Sequence, residues 1–407
     1  MHTLDDLLSG RLSGARHLKL IADLDAFPDA IFDLADTLEV LDLSGNRLSS
    51  LPDDLHRLRR LRILFASGNR FDALPPGLGA CENLSMIGFK ANRIAAIPAE
   101  ALPPRLRWLI LTDNAIEVLP DALGACRNLQ KLMLAGNRLA ALPDLSACRK
   151  LELLRLSANR FTALPETLSV LPRLTWLAFA GNPFTQVHEA AAHATARLPH
   201  IDWTDLDLGE RLGEGASGHI RAARRISLNQ PAAVKIFKGE VTSDGLPRSE
   251  LSAALAAGRH EGLIPLLGRA QTPEGRDALI MQRLPPSFRP LAAPPDFDTC
   301  TRDVYAQDQR FTAAQARNIA ADIASALSHL HESGLIHGDL YAHNILFDGE
   351  SALITDFGAA SPLPPDAGQR RFLQSLDLRA YGILLQELAD RCDDDATAKA
   401  LRDLAAW

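Results

Sequence analysis

The sequence predicts an α/β solenoid of short repeats followed by an α+β fold of two lobes. The first half repeats a leucine-rich frame every 22 or 23 residues, whereas the second half lacks this period and carries glycine, lysine and carboxylate motifs in order. A chain of 407 residues is also longer than one hydrophobic core usually supports. We expect a repeat domain over residues 1–200 and a second domain over residues 201–407.

The composition narrows the class of protein. With 47% hydrophobic and 23% charged residues, the chain is typical of folded proteins. A net charge of −7 gives no electrostatic reason to expect nucleic acid or an anionic membrane as partner. The acidic N-terminus does not resemble a signal peptide, and no apolar stretch predicts a membrane span. Five cysteines without a CxxC pair argue against a disulfide framework or zinc site, so we expect a cytoplasmic protein.

The repeated frame is LxxLxLxxNxLxxLP, as in LEVLDLSGNRLSSLP and LELLRLSANRFTALP. Its LxL pair predicts a short strand with buried leucines, and its asparagine can turn the chain and bond to the backbone of a neighbouring repeat. The asparagines are Asn46, Asn69, Asn92, Asn114, Asn137, Asn159 and Asn182. The frame closely resembles the leucine-rich repeat family over residues 18–186, which implies a curved solenoid with its strands on the concave side.

Apolar residues recur at the strand positions that point away from the leucines. They are Ile63, Phe65, Met86, Trp108, Ile110, Met133 and Trp176. A concave surface has no second layer to cover them, and an exposed apolar patch usually marks a binding site. We therefore predict a protein partner on this face. The alternative is that neighbouring side chains cover part of the set.

The second half opens with glycines in the pattern GxGxxG, at Gly213, Gly215 and Gly218. Dinucleotide-binding folds use the same pattern, but they continue with a helix and then an acidic residue. Here Lys235 follows Gly218 by 17 residues, in the strand-like run AAVKIF. A lysine at this position, in place of an acidic residue, favours a nucleoside triphosphate site over a dinucleotide site.

Two further motifs follow Lys235 in the sequence. HGDLYAHN contains Asp339 and Asn344, and the DFG sequence that begins at Asp356 follows Asp339 by 17 residues. A helix is predicted from the capping residue Thr312 to Gly334, directly before the first motif. Together these motifs resemble the protein kinase family over about residues 205–407. The resemblance implies an α+β bilobal kinase fold that uses ATP and Mg²⁺.

The resemblance also implies a role for each matched residue. Asp339 would be the catalytic carboxylate, and Asn344 and Asp356 would bind the metal. Residues that would contact ATP are Gly213, Gly215, Gly218, Ile220, Lys235, Glu250 and Met281. Glu250 would pair with Lys235, although Glu240 and Glu261 flank it, and Met281 would border the adenine pocket.

Several positions depart from the family pattern. Gly338 replaces an arginine that binds a phosphorylated activation loop in many kinases. Tyr341 and His343 stand where the family places a cation, so both are uncertain phosphate contacts. Asp377, in a predicted helix, follows Asp356 by only 21 residues without an Ala-Pro-Glu motif, which predicts a short activation segment. We also expect a shortened C-lobe, because the sequence stops at TAKALRDLAAW whereas the family continues with further helices.

Three functions fit these observations. The first is a soluble kinase of the bacterial leucine-rich-repeat type, which phosphorylates serine, threonine or tyrosine on a protein held by the repeats, most simply as a serine/threonine kinase. The second is a pseudokinase or scaffold that binds nucleotide without transfer. The third is a small-molecule phosphotransferase, because antibiotic kinases also use an HGDxxxxN loop.

Overall fold

The computed structural model describes residues 2–195, 198–215, 217–239 and 241–406. Its backbone contacts separate two compact units, Met1–Leu174 and Thr175–Trp407. The last copy of the repeat frame, around Asn182, therefore lies in the second unit. Within the described ranges, no helix has both the length and the apolar character needed to cross a membrane.

The first unit is a stack of one-strand repeats. Its seven strands pair in parallel and in chain order. The elements are helix α1 (Leu4–Leu8) and strands β1 (His17–Lys19), β2 (Val40–Asp42), β3 (Ile63–Phe65), β4 (Met86–Gly88), β5 (Trp108–Ile110), β6 (Lys131–Met133) and β7 (Leu153–Arg155). Short 3₁₀ helices form the return segments at Asp29–Leu34, Leu55–Arg57, Pro76–Ala80, Ala99–Ala101, Asp121–Ala125 and Glu166–Val170.

The repeat asparagines have the predicted structural role. The side-chain amide of Asn69 donates to the carbonyl of Leu43 in the preceding repeat at 2.9 Å, and its oxygen accepts from the backbone N–H of Leu48 at 2.9 Å. Asn137 makes the equivalent bond to the carbonyl of Leu111 at 2.9 Å. Each asparagine thus satisfies buried backbone groups of two adjacent turns.

The second unit begins with a strand and a helix and continues into an antiparallel sheet. In the sheet the strand order is β12-β13-β11-β10-β9. The elements are β8 (Trp176–Ala178), α2 (Gln186–Thr195), the 3₁₀ helix Trp203–Asp205, β9 (Leu206–Glu214), β10 (Gly218–Arg225), β11 (Gln230–Phe237), α3 (Pro247–Ala257), β12 (Leu266–Gln271) and β13 (Asp277–Gln282). Helix α3 packs its apolar residues Leu251 and Leu255 against Leu279 and Phe237 of this sheet.

A mainly helical lobe follows. It contains β14 (Arg289–Pro290), α4 (Ala313–Glu332), β15 (Leu335–Ile336), the 3₁₀ helix Ala342–Asn344, β16 (Ile345–Phe347), β17 (Ala352–Ile354), β18 (Ser361–Pro362), α5 (Ala367–Ala389) and α6 (Asp395–Ala405). The predicted capping box is confirmed, since Thr312 and Gln315 exchange side-chain and backbone hydrogen bonds of 3.0 and 3.2 Å. A sheet lobe followed by a helical lobe is the predicted bilobal arrangement.

Candidate active site

The glycine-rich loop (residues 213–218) joins the antiparallel strands β9 and β10. Gly218 fits only without a side chain, because a Cβ there would lie 2.5 Å from the carbonyl oxygen of Ile236. Gly213 and Gly215, by contrast, have open space around the Cβ position. Ile220 lies between Gly213 and Lys235 in the strand register and is half-buried. Gly215 is exposed, and the open space beside Gly213 and Gly215 suits a loop that covers phosphates.

Lys235 and Glu250 form a buried ion pair. Strand β11 places the lysine at the centre of the sheet, and the first turn of α3 places the glutamate opposite it. Burial disfavours the ammonium form, but the carboxylates of Glu250 and Asp356 outweigh this effect and raise the pKa of Lys235. Glu261 is exposed and Glu240 lies outside the described residues. Lys235 is therefore a fixed positive charge next to Asp356.

Met281 lies near the end of strand β13, in register with Ala233 of β11. Its half-buried side chain packs on the cluster that includes Leu251 of α3, as does Phe357 of the DFG sequence. Met281 therefore borders the space between the sheet, α3 and the DFG turn.

Asp377 of helix α5 anchors the loop of residues 337–344, which is called the catalytic loop here after the kinase motif that it resembles. It is 1% exposed, and its carboxylate accepts the backbone N–H of His337 at 2.8 Å and of Gly338 at 2.9 Å. The same carboxylate is 3.0 Å from Nε2 of His331. These bonds fix the backbone just before Asp339.

Asp339 and Asn344 are in direct contact across the loop. The side-chain amide of Asn344 donates to Oδ2 of Asp339 at 2.9 Å and to its backbone carbonyl at 2.9 Å. The carbonyl of Asn344 accepts the backbone N–H of Thr355 at 2.9 Å, which ties the loop to the residue before Asp356. The two motifs thus meet in a cluster that contains Asp339 and Asn344 and adjoins Asp356 through Thr355.

The cluster fits a magnesium ion shared with phosphates. Among the residues described, no group of three or more His, Cys, Asp or Glu side chains could hold a metal. Mg²⁺ in nucleotide sites, however, needs only one or two protein ligands besides phosphate and water. Asp356 offers an exposed carboxylate, and its φ of 56° holds the residue in a left-handed turn closed by a 3.0 Å bond from Gly358. Asn344 offers a side-chain amide oxygen, and its backbone carbonyl is bonded to Thr355, the residue before Asp356.

Tyr341 and His343 have different environments. Tyr341 is 6% exposed with its ring stacked on Trp176, a position that argues against contact with a phosphate. His343 is half-buried, and Asp303 accepts its backbone N–H at 3.1 Å and lies 2.7 Å from Nδ1. Burial is the largest single effect and opposes the imidazolium, but Asp303, together with the charges of Asp339 and Asp356, outweighs it and raises the pKa of His343. Asp303 lies in an irregular stretch after β14, where no motif marked it in advance.

Comparison with known protein families matches one region in each half of the chain. The family model described as protein kinase domain matches residues 206–390, and that described as leucine rich repeat matches residues 23–71. The chain carries leucine-rich repeats followed by a protein kinase domain.

Individual relatives match less than half of the chain. Fibroblast growth factor receptor 1 of Pleurodeles waltl is 25% identical over 217 residues, which is 45% of this chain and 26% of that protein. Serine/threonine-protein kinase PknB of Mycolicibacterium smegmatis is 29% identical over 164 residues, 39% of this chain and 24% of the relative. The chain thus spans about a quarter of the length of these relatives. A solved leucine-rich-repeat protein of Leptospira interrogans is 26% identical, with a TM-score of 0.34 and coverage of 40% of this chain and 49% of that one.

The leucine-rich repeats expose only part of the predicted apolar face. Four of the residues are half-buried, namely Phe65, Trp108, Ile110 and Met133. The indole N–H of Trp108 lies 3.3 Å from the sulfur of Met133. Ile63 and Met86 are 3% and 2% exposed, because adjacent strands of the parallel sheet cover them. The prediction that Trp176 faces solvent was wrong: it is 1% exposed and belongs to the kinase unit.

Proposed function

We propose that the chain is an ATP- and Mg²⁺-dependent protein kinase that phosphorylates serine or threonine on a protein partner bound by its leucine-rich repeats. The observation that carries the proposal is the convergence of Lys235, Asp339 and Asp356 with their partners Glu250 and Asn344. A nucleotide-binding scaffold would need only part of this set, since Asp339 acts on the acceptor and not on ATP.

Each residue has a defined role in the proposed reaction. Lys235, held by Glu250, binds the phosphates of ATP, and the glycine-rich loop covers them with backbone N–H groups. Asn344 and Asp356 would hold the metal, and a bound metal would neutralise the charge that develops on the transferred phosphoryl group. Asp339, oriented by the Asn344 amide, accepts a hydrogen bond from the acceptor hydroxyl and takes its proton.

Two observations bear on the class of acceptor. Six relatives carry the name serine/threonine-protein kinase PknB, which supports these hydroxyls as acceptors. The segment from Asp356 to the start of α5 holds only the two-residue strand β18, however, and so offers little surface for an extended peptide. This short segment favours a small-molecule phosphotransferase as the second candidate.

A transfer assay with radiolabelled ATP distinguishes the candidates. The full chain is incubated alone, with generic protein substrates and with aminoglycosides, followed by phosphoamino-acid analysis of any labelled protein. We expect label on serine or threonine, lost in Asp339→Asn although MgATP binding persists. Glu250→Gln should lower transfer strongly, whereas the matched change at exposed Glu261 should not. Incorporation equal to that of Asp339→Asn would identify a pseudokinase, and label only on an aminoglycoside would identify the second candidate.

The partner surface is tested separately. The half-exposed side chains of Trp108 and Ile110 on strand β5 support binding of an apolar protein surface. Changing both, to Ser and Asp respectively, should abolish co-purification of the partner without altering the thermal unfolding of the chain. Val118, which is 75% exposed outside the strands, provides the matched control as Val118→Ser. Unchanged co-purification in the double variant would refute this surface.

We also propose a cytoplasmic location, on the basis of the cysteines. Cys81 and Cys148 are buried thiols, and burial raises the pKa of each to about 11. Such thiols act as small apolar side chains and suit a reducing compartment. Cell fractionation tests this location, and recovery of the intact protein from an oxidising compartment would contradict it.

A further inference from the structure

Strand β8, which precedes the kinase motifs in sequence, lies against the catalytic loop. The indole ring of Trp176 stacks on the ring of Tyr341, with centroids 4.2 Å apart and planes 10° apart. The indole Nε1–H donates to the carbonyl of Leu340 at 3.0 Å. Trp176 therefore contacts the two residues that directly follow Asp339.

The residue before Asp339 and the residue after Trp176 also lie close together. Gly338 has a φ of 71°, and a Cβ at this position would lie 2.4 Å from the carbonyl oxygen of Leu177. One residue beyond strand β8, the backbone N–H of Phe179 donates to Oγ of Ser361 at 3.1 Å. Ser361 lies in the segment that follows the DFG turn. The absence of a side chain at Gly338 is thus what allows strand β8 to approach the loop so closely.

Helix α2 makes a second contact, with the helix that carries Glu250. One oxygen of the Glu189 carboxylate accepts from the backbone N–H of Gly181 at 2.7 Å and from the Thr185 hydroxyl at 2.6 Å. The other oxygen accepts from the hydroxyl of Ser249 at 2.7 Å. Ser249 directly precedes Glu250 in the first turn of α3. Helices α2 and α3 also pack along each other.

These contacts complete the support of the catalytic loop. Asp377 fixes the backbone before Asp339, and Asn344 holds its carboxylate, but the residues just after Asp339 are held by Trp176. We infer that Trp176 is a positioning residue for Asp339, and that Glu189 is a positioning residue for the Lys235–Glu250 pair. This inference rests on the proposed kinase function.

The two positioning residues should have different kinetic effects. A displacement of about 1 Å of a catalytic group can lower a rate about 100-fold. Because Asp339 acts on the acceptor, Trp176→Ala should lower kcat about 10- to 100-fold with little change in KM for ATP. Trp176→Phe keeps an aromatic ring over Tyr341 and should restore most of the rate. Because the Lys235–Glu250 pair binds phosphates, Glu189→Ala should instead raise KM for ATP.

The experiment uses the full chain and a control for simple loss of packing. Phe311 is a buried aromatic residue that lies just before helix α4, outside residues 337–344. Phe311→Ala should lower stability and leave kcat per folded molecule unchanged. Equal kcat losses in Trp176→Ala and Phe311→Ala, or no recovery in Trp176→Phe, would overturn the role of Trp176. An unchanged KM in Glu189→Ala would overturn the role of Glu189.

Hydrogen–deuterium exchange provides a readout that does not depend on transfer. We expect faster exchange over residues 339–344 in Trp176→Ala than in the wild type or Phe311→Ala. Unchanged exchange in this range would refute the positioning of the loop by Trp176. If the wild type transfers no more phosphate than Asp339→Asn, the proposed function fails, and the exchange data still decide whether Trp176 holds the loop.

Discussion

Gly338 is the position where one added methyl group should most disturb the catalytic loop. Its φ of 71° lies in the left-handed region, where a side chain costs roughly 1–2 kcal/mol. A Cβ would also lie 2.4 Å from the carbonyl oxygen of Leu177 and 2.9 Å from that of Ala359. Relief of such a clash by backbone movement typically costs about 1–3 kcal/mol. Gly338→Ala should therefore lower the free energy of unfolding by about 2–5 kcal/mol.

Gly334 offers a matched control four residues earlier. Its φ is 78°, but no heavy atom lies within 4 Å of a Cβ built there. Gly334→Ala should therefore pay only the backbone term, so that urea unfolding places Gly338→Ala about 1–3 kcal/mol below it. Equal losses in the two variants would show that the Leu177 and Ala359 carbonyls move aside without cost, which would refute the argument for a close approach of strand β8.

Three further predictions concern stability, each measured by urea unfolding. Burial, reinforced by Asp303, raises the pKa of Glu387 from 4.5 to about 7. The folded state then binds more protons between these values, and stability should fall as pH rises through this window. Glu387→Gln should remove this change of the free energy of unfolding with pH, which amounts to at most about 3 kcal/mol. An unchanged pH profile in the variant would contradict the prediction. Thr312→Ala should cost about 1 kcal/mol through loss of the α4 cap, and a loss near zero would show that the cap is dispensable. Asn137→Ala should lower the free energy of unfolding by about 2–4 kcal/mol, because buried backbone groups lose their hydrogen-bond partners. Exposed Asn128→Ala should lower it far less. Similar losses would count against the asparagine ladder, the series of hydrogen bonds from repeat asparagines to the preceding turn.

The sequence predicted those features that depend on local pattern. The period of the frame predicted the parallel strands, the spacing around Asn137 predicted its bonds, and the capping box predicted where α4 begins. The motif spacing also identified Asp339 and Asn344, whose side chains the structure brings into contact at 2.9 Å.

Features that depend on contacts between distant segments were not predictable in this way. Trp176 occupies a strand position that faces outward in an isolated repeat, yet it bonds to Leu340, 164 residues further along the chain. Asp303 lies in an irregular stretch without periodicity, so nothing local indicated its contact with His343. Burial set by a distant segment leaves no periodic trace in the sequence.

The asparagine ladder has an evolutionary implication. Asn69 and Asn137 each join their own turn only to the turn before it, at Leu43 and Leu111. A duplication or deletion of one whole 22- or 23-residue unit therefore recreates the same bond at the new junction. Gene recombination can therefore lengthen or shorten the solenoid without requiring a new core and without changing any residue of the second unit.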